Sequence, residues 1–301
     1  MNQAQITDIT SQVTKLEVHQ RGGGSSGDVF YGEWRSSQGQ TKVAIKTVRV
    51  CTDDPAEIAN ILQKFMREAR VWATLKHEHI VPFCGIASDL APRRGIPSVI
   101  SPWYDSGSLR TYYNQHWQDG NGVAVNTRKS IMFGVLDGLK YLHTRDPPVV
   151  HGDLSTQNVL IDDKGQPRLT DFGLSVLVDI PGFTTVTNRG TYKYMAVELF
   201  GDGPGGPGTV PKKTKESDIW AFGILSLEIL SNLEPYVAPS GQSLKDAVVI
   251  TNVPKGHRPD HDRFRQYVDD DLWAMCKSCL RTDPRNRFTA EDISRNLAGK
   301  C

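Results

Sequence analysis

Asp153, Asn158 and Asp171 fall within one stretch, HGDLSTQNVLIDDKGQPRLTDFG, residues 151–173. An amide oxygen and a carboxylate brought together make a hard, oxygen-only site that suits Mg²⁺ alongside phosphates. A further carboxylate close by can accept a proton from an attacking hydroxyl and orient it. NVLID and PRLTD read as short strands around the turn Asp163-Lys164-Gly165-Gln166. A hairpin centred between Lys164 and Gly165 makes Asn158 and Asp171 face each other at its open end. Asp153 then lies in the loop entering the hairpin, close to the cation without having to ligate it. Taken singly, each acid could be a turn former; together with two features upstream they are hard to read as loop residues.

The first of those features is Gly22-x-Gly24-x-x-Gly27. The same spacing marks dinucleotide sites, but there the glycines open a helix. Here VFYGEW follows, a β-like run, so the glycines form a hairpin tip whose backbone N–H groups can close over phosphates. This disfavours a dinucleotide-dependent oxidoreductase. The second feature is Lys46 in the strand KVAIK, on the face shared by Ala44 and Val48 and opposite Val43, Ile45 and Thr47. Glu68, beside the apolar stripe of the next helix, is costly to bury alone. Lys46 is its expected partner, and a solvated edge position is the plain alternative.

The positioning elements are legible too. Residues 13–20, 29–34 and 42–50 read as an antiparallel meander. Asp54 caps a helix with Pro55 in its first turn and Glu57 completing a capping box, followed by Ile58, Ile61, Leu62, Phe65, Ala69 and Trp72 at helical spacing. Strands are expected over 79–87 and 96–104, and helices over about 127–144, 218–231 and 269–280. The β-rich part gives way to the helical part near Asp105–Gly107. GDGPGGPGTVP, 201–211, reads as a solvated surface loop.

Composition limits the function. Thirty-five Lys and Arg against 34 Asp and Glu give a net charge of +1, with 38% hydrophobic and 23% charged residues. That balance argues against a nucleic-acid binder and against disorder. No apolar run is long enough for a membrane span, and the N-terminus lacks the pattern of a secretory signal. Five scattered cysteines suggest a reducing compartment. Cys276-x-x-Cys279 lacks companion ligands and reads as two core cysteines on a helix; His77 and His79 read as structural.

In this order these residues resemble the eukaryotic protein kinase signature set, over nearly the whole chain from about Val13. The resemblance implies an α+β, bilobal fold: a small antiparallel sheet lobe with one helix, and a larger, mainly helical lobe. It implies an extension over 1–12 and a domain over 13–301, with an N-lobe at about 13–104, a hinge at about 102–106 and a C-lobe at about 107–301. Residues 22–29 stand for the glycine loop, Lys46 for the nucleotide lysine, Glu68 for its helix partner, Asp153 for the base-like aspartate, and Asn158 and Asp171 for the metal ligands. Asp171-Phe172-Gly173 is intact. By similarity Pro102 offers its carbonyl and Tyr104 its N–H to adenine, Ser101 is a small gatekeeper, and Val29, Ala44 and Leu160 sandwich the ring. Trp72, Phe83, His151 and Phe172 would stack. Ala196-Val197-Glu198 resembles the APE motif, and Asp218 and Arg287 match positions that brace the helical lobe.

GTYKYMAVE, with Thr191 at the bracing position, and GDLSTQN are similar to Ser/Thr kinases, in the style of the tyrosine-kinase-like branch expanded in mushroom-forming fungi. ATP, Mg²⁺ (or Mn²⁺) and protein substrates with Ser/Thr acceptors follow. So do a cytoplasmic chain with access to the nucleus, no nucleic-acid partner and no membrane insertion; the oligomeric state stays open. Gly152, Ser155 and Val197 replace the family's usual arginine, lysine and proline. They keep a pseudokinase scaffold as the alternative reading, ahead of a tyrosine or dual-specificity kinase. Without an arginine at 152, phosphorylation of Thr184, Thr185 or Thr187 is expected to matter little.

Overall fold

A computed structural model describes residues 6–16, 22–24, 27–48, 50, 52–90, 96–117, 122–171, 192–201 and 211–298. They divide into two compact units, with the boundary between Asp105 and Ser106.

The first unit is a six-stranded sheet and one helix. β1 (Val13–Lys15), β2 (Gly22–Gly24), β3 (Gly27–Ser36), β4 (Gly39–Thr47), β5 (Gly85–Ala87) and β6 (Ser98–Pro102) pair antiparallel in the order β1-β3-β4-β6-β5, with β2 also on β3. α1 (Pro55–Thr74) follows β4. Alternation in β4 is as the residue types dictate: Val43, Ile45 and Thr47 are buried, whereas Ala44, Lys46 and Val48 are half-buried. Val43 and Ile45 join Val13, Phe30, Ala87 and Ile100 in one apolar cluster. The stripe Ile61, Phe65, Ala69 and Trp72 is the buried face of α1.

Three expectations change here. Asp54 caps α1, but through the Ala56 N–H (2.8 Å), while its own N–H donates to Thr52 Oγ1 (3.1 Å). Thr52 thus takes the bond that Glu57 would have made in a capping box. The strand expected over 79–87 is confined to Gly85–Ala87. Ahead of it the Ile80 N–H turns back to the His77 carbonyl (3.1 Å), and Pro82 has no N–H to offer a ladder. Residues ahead of Val13 are integral to the unit: Ile9 is 2% exposed, its N–H donates to the Ile86 carbonyl (2.9 Å), and the Ile86 N–H donates to the Thr7 carbonyl (3.0 Å). The apolar side chain of Ile9 is what draws this segment onto the sheet.

The second unit is helical apart from one hairpin. It comprises α2 (Leu109–Trp117), α3 (Val125–His143), the hairpin β7 (Val159–Ile161) and β8 (Pro167–Leu169), α4 (Lys215–Ser231), α5 (Asp246–Asn252), α6 (His261–Phe264), α7 (Asp270–Cys279) and α8 (Ala290–Leu297). α4 is buried on all sides from Ser217 to Ser231, the mark of a central helix rather than an amphipathic one. Gly223 lets α7 approach it, because a Cβ there would lie 2.6 Å from the Cys279 Cβ. Cys276 and Cys279 are fully buried, and burial pushes the Cys276 thiol up to about 12, so both are inert core residues. Among the described residues no helix is long and apolar enough to cross a membrane.

Candidate active site

In the first unit the register decides which side chains share a face. Val29 pairs with Lys46, Tyr31 with Ala44, and Ala44 with Ser101. Directly paired residues project to the same side of a sheet, as do residues two apart. Val29, Ala44, Lys46 and Ser101 therefore lie on one half-buried face, opposite the apolar cluster. Gly22 to Gly24 pair with Val29 to Gly27, so the glycines form a hairpin over this sheet and do not start a helix. Gly27 is irreplaceable in that hairpin: its φ is +151° and a Cβ would lie 2.0 Å from the Thr47 carbonyl oxygen. Pro102 ends β6, and the Trp103 N–H donates to the Lys42 carbonyl (3.2 Å). The Trp103 indole and the Lys42 ammonium both donate to the Asp105 carboxylate, at 3.0 and 2.6 Å, holding the chain at the end of this unit.

Glu68 departs from expectation. Its carboxylate meets the Arg67 guanidinium at 3.2 Å in place of Lys46. Burial raises its pKa, and the Arg67 hydrogen bond and charge work against that rise. The Glu68 side chain is 12% exposed and that of Arg67 61%. A neighbouring guanidinium that stays in solvent costs less to bring up than an ammonium drawn off the sheet face. Trp72 and Phe83 do approach each other, with ring centroids 5.6 Å apart.

In the second unit the loop before β7 is built around two acids. Asp218, 1% exposed in α4, accepts from His143 Nε2 (2.9 Å) and from the backbone N–H groups of His151 (2.8 Å) and Gly152 (2.8 Å). Gly152 takes φ +76°, a conformation that glycine adopts without strain. Burial, the largest influence, lowers the pKa of His151; Asp218 and Asp171 oppose this, and Lys213 adds to it. A neutral ring fits the bond it makes, Nδ1 accepting from the Asp153 N–H (3.2 Å). Asn158, buried, donates its amide to the Asp153 carbonyl (2.7 Å) and to Asp153 Oδ2 (2.9 Å). That fixes the amide so that Oδ1 is the atom it presents to a cation.

The hairpin register differs by one residue from the expected one. Val159 pairs with Leu169, Leu160 with Arg168 and Ile161 with Pro167, so Asn158 stands opposite Thr170 and not Asp171. The Thr170 N–H donates to the Asn158 carbonyl (3.0 Å). The cause is the turn. Gly165 has φ +76°, and Asp162 Oδ1 accepts from the N–H groups of Lys164 and Gln166 (2.9 Å each), giving a three-residue loop centred on Lys164. Asp171 follows Thr170 with φ +63°, a left-handed conformation uncommon for a non-glycine residue and found at functional sites. An oriented amide oxygen and a carboxylate one residue past its strand partner are hard donors that fit a divalent cation.

Sequence reasoning missed a second acid, Glu228. It is 3% exposed and accepts from Arg110 (2.9 Å), Lys193 (2.7 Å) and the Tyr194 hydroxyl. Tyr194 in turn contacts the Thr156 hydroxyl (3.1 Å), tying the Asp153 loop to the segment before Glu198. The signal was present: one glutamate within the apolar run AFGILSLEIL. Arg287, its side chain fully buried, grips Glu198 with two 2.7 Å bonds and lies over Trp220. Phe172, Gly173, Thr184, Thr185, Thr187, Thr191 and most of the 201–211 loop lie outside the described residues.

The model of the protein kinase domain family matches residues 16–297. Over 92% of its length the chain is 28% identical to the serine/threonine-protein kinase CTR1 of Arabidopsis thaliana, covering 31% of that protein. It is 25% identical to the receptor-like serine/threonine-protein kinase NCRK of the same plant, again over 92% of this chain and covering 49% of the relative. The chain thus spans 31% and 49% of the length of these two curated relatives.

Proposed function

The chain belongs to the protein kinase domain family, and from that premise we propose that it transfers the ATP γ-phosphoryl group to serine and threonine hydroxyls of protein substrates. The observation that carries this is the pair of hydrogen bonds that the Asn158 amide donates to the carbonyl and the carboxylate of Asp153, which aligns a proton-accepting carboxylate with an oxygen turned toward a cation. Asp153 orients the acceptor hydroxyl and receives its proton. Lys46 and the backbone of the Gly22–Gly27 hairpin hold the phosphates, and Val29, Ala44 and Leu160 hold adenine, with Ser101, Pro102 and Tyr104 at its edge. Asn158 and Asp171 would hold the divalent cation, Mg²⁺ by the hardness of its donors, which neutralises phosphate charge when bound. In such transfers positioning and charge stabilisation dominate. The segments GDLSTQN and YKYMAVE support acceptance of Ser/Thr and placement in the tyrosine-kinase-like branch.

An ATP-to-peptide transfer assay with Ser, Thr and Tyr acceptors tests this, comparing wild type with Asp171→Asn. Label on Ser and Thr, lost in the variant, is the expected result. Nucleotide binding without transfer would instead make the chain a nucleotide-binding scaffold.

The Arg67–Glu68 pair gives a second expectation. The Arg67 guanidinium is 61% exposed and screened by water, so it holds the half-buried Glu68 only weakly. Arg67→Ala releases the carboxylate to Lys46 and should raise kcat/KM for ATP by up to about fivefold. A steady-state titration of ATP that gives a lower value would show that Arg67 supports activity.

A further inference from the structure

Phosphoryl transfer gathers negative charge on the moving group, yet from Asp146 to Asp163 the chain carries no lysine or arginine. Position 152 is glycine and position 155 is serine. A cation nevertheless lines the same cavity as Asp153. That cavity, of about 80 Å³ in the helical unit, is lined by Gly152, Asp153 and Lys213, together with Tyr194, Met195 and Ala196. Lys213 is half-buried and has no hydrogen-bond or ion-pair partner among the described residues.

Its backbone is anchored, because the next residue, Thr214, caps α4. The Thr214 N–H donates to Ser217 Oγ (2.9 Å), and Thr214 Oγ1 accepts from the Ser217 N–H (3.2 Å). One acid in the lining, Asp218, already accepts three hydrogen bonds. Asp153 is the second carboxylate that lines this cavity together with Lys213. The charge of Lys213 also acts on His151, which adjoins Gly152.

We propose that Lys213 is a catalytic residue, supplying from ahead of α4 the positive charge that the Asp153 loop lacks. The inference rests on the kinase reading. In the step concerned, the acceptor oxygen forms the new bond to the γ-phosphorus, and the bond to the β–γ bridging oxygen breaks, its electron pair leaving on ADP. The hydroxyl proton goes to Asp153. The ammonium balances the charge that collects on the phosphoryl and acceptor oxygens, so its loss should lower kcat and leave ATP binding intact.

The test is steady-state kinetics on the full chain with ATP and a Ser/Thr peptide, with thermal melting of each variant. Lys213→Met should cut kcat roughly 10- to 100-fold with the KM for ATP within about twofold of wild type, and Lys213→Arg should keep at least about a third of wild-type kcat. Ser155→Lys, which puts a cation on the loop itself, should recover about tenfold in the Lys213→Met background and less than about threefold in wild type. Equal gains in both backgrounds would overturn the inference, as would a Lys213→Met kcat within about threefold of wild type. If Lys213→Arg is as impaired as Lys213→Met and both melt early, the role is structural and the inference fails. If Ser155→Lys does not fold, the methionine and arginine variants decide. Wild type without any transfer sinks the kinase reading itself, and this inference with it.

Discussion

Asp153→Ala is expected to lower phosphotransfer by about 10³-fold while ATP still binds, since a positioned proton acceptor contributes about 10²–10⁴-fold. The loss should fall on transfer because the bonds that Asp153 makes to Asn158 and, through its N–H, to His151 hold the proton-accepting loop and involve none of the residues assigned to adenine. Removing the carboxylate takes away one of the two bonds that orient the Asn158 amide; the bond to the Asp153 backbone carbonyl remains, so Oδ1 stays presented. Single-turnover measurement of transfer, beside a nucleotide titration followed by thermal shift, separates the two effects. Equal turnover in wild type and variant would remove Asp153 from the mechanism.

The second large effect is on stability. Asp218→Ala should cost about 3–5 kcal/mol, because it strands buried donors as well as losing hydrogen bonds. The N–H groups of His151 and Gly152 and the imidazole of His143 all end on this carboxylate, and His151 is 0% exposed. Asp218→Asn keeps an acceptor oxygen and should cost less. Denaturant unfolding reads the difference, and a midpoint change worth less than about 1 kcal/mol for the alanine variant would show that water enters and replaces the acid. The same substitution should depress turnover, since the two anchored amides lead directly into Asp153.

Much of this was legible because local chemistry and tertiary role coincide. The β3–β4 alternation, the Asp54–Pro55 start of α1 and the boundary at Asp105 follow from side-chain periodicity and turn residues, which tertiary packing did not override. The β7–β8 register was harder. Two-residue and three-residue turns are compatible with DKGQ, and only the bonds made by Asp162 select the longer one. The Glu68 partner was misread because Lys46 is the obvious cation when the helix is considered alone, whereas Arg67 lies next to it in the chain. Glu228 was overlooked because its three partners come from distant segments that no spacing rule connects. The chain from Thr7 to Gln12 looked polar, and a single isoleucine gave little notice that it packs inside.

That short segment has a consequence for how the molecule behaves in company. β5 is the last strand of its sheet, and the sequence Gly85-Ile86-Ala87 has no charge or proline to discourage a foreign strand from adding to it. The bridge between Asp8 and Ile86 runs parallel and takes up both the N–H and the carbonyl of Ile86. A chain begun at Val13 would therefore lose more than a tail: it would bare a template for self-association, and solubility would fail before folding did.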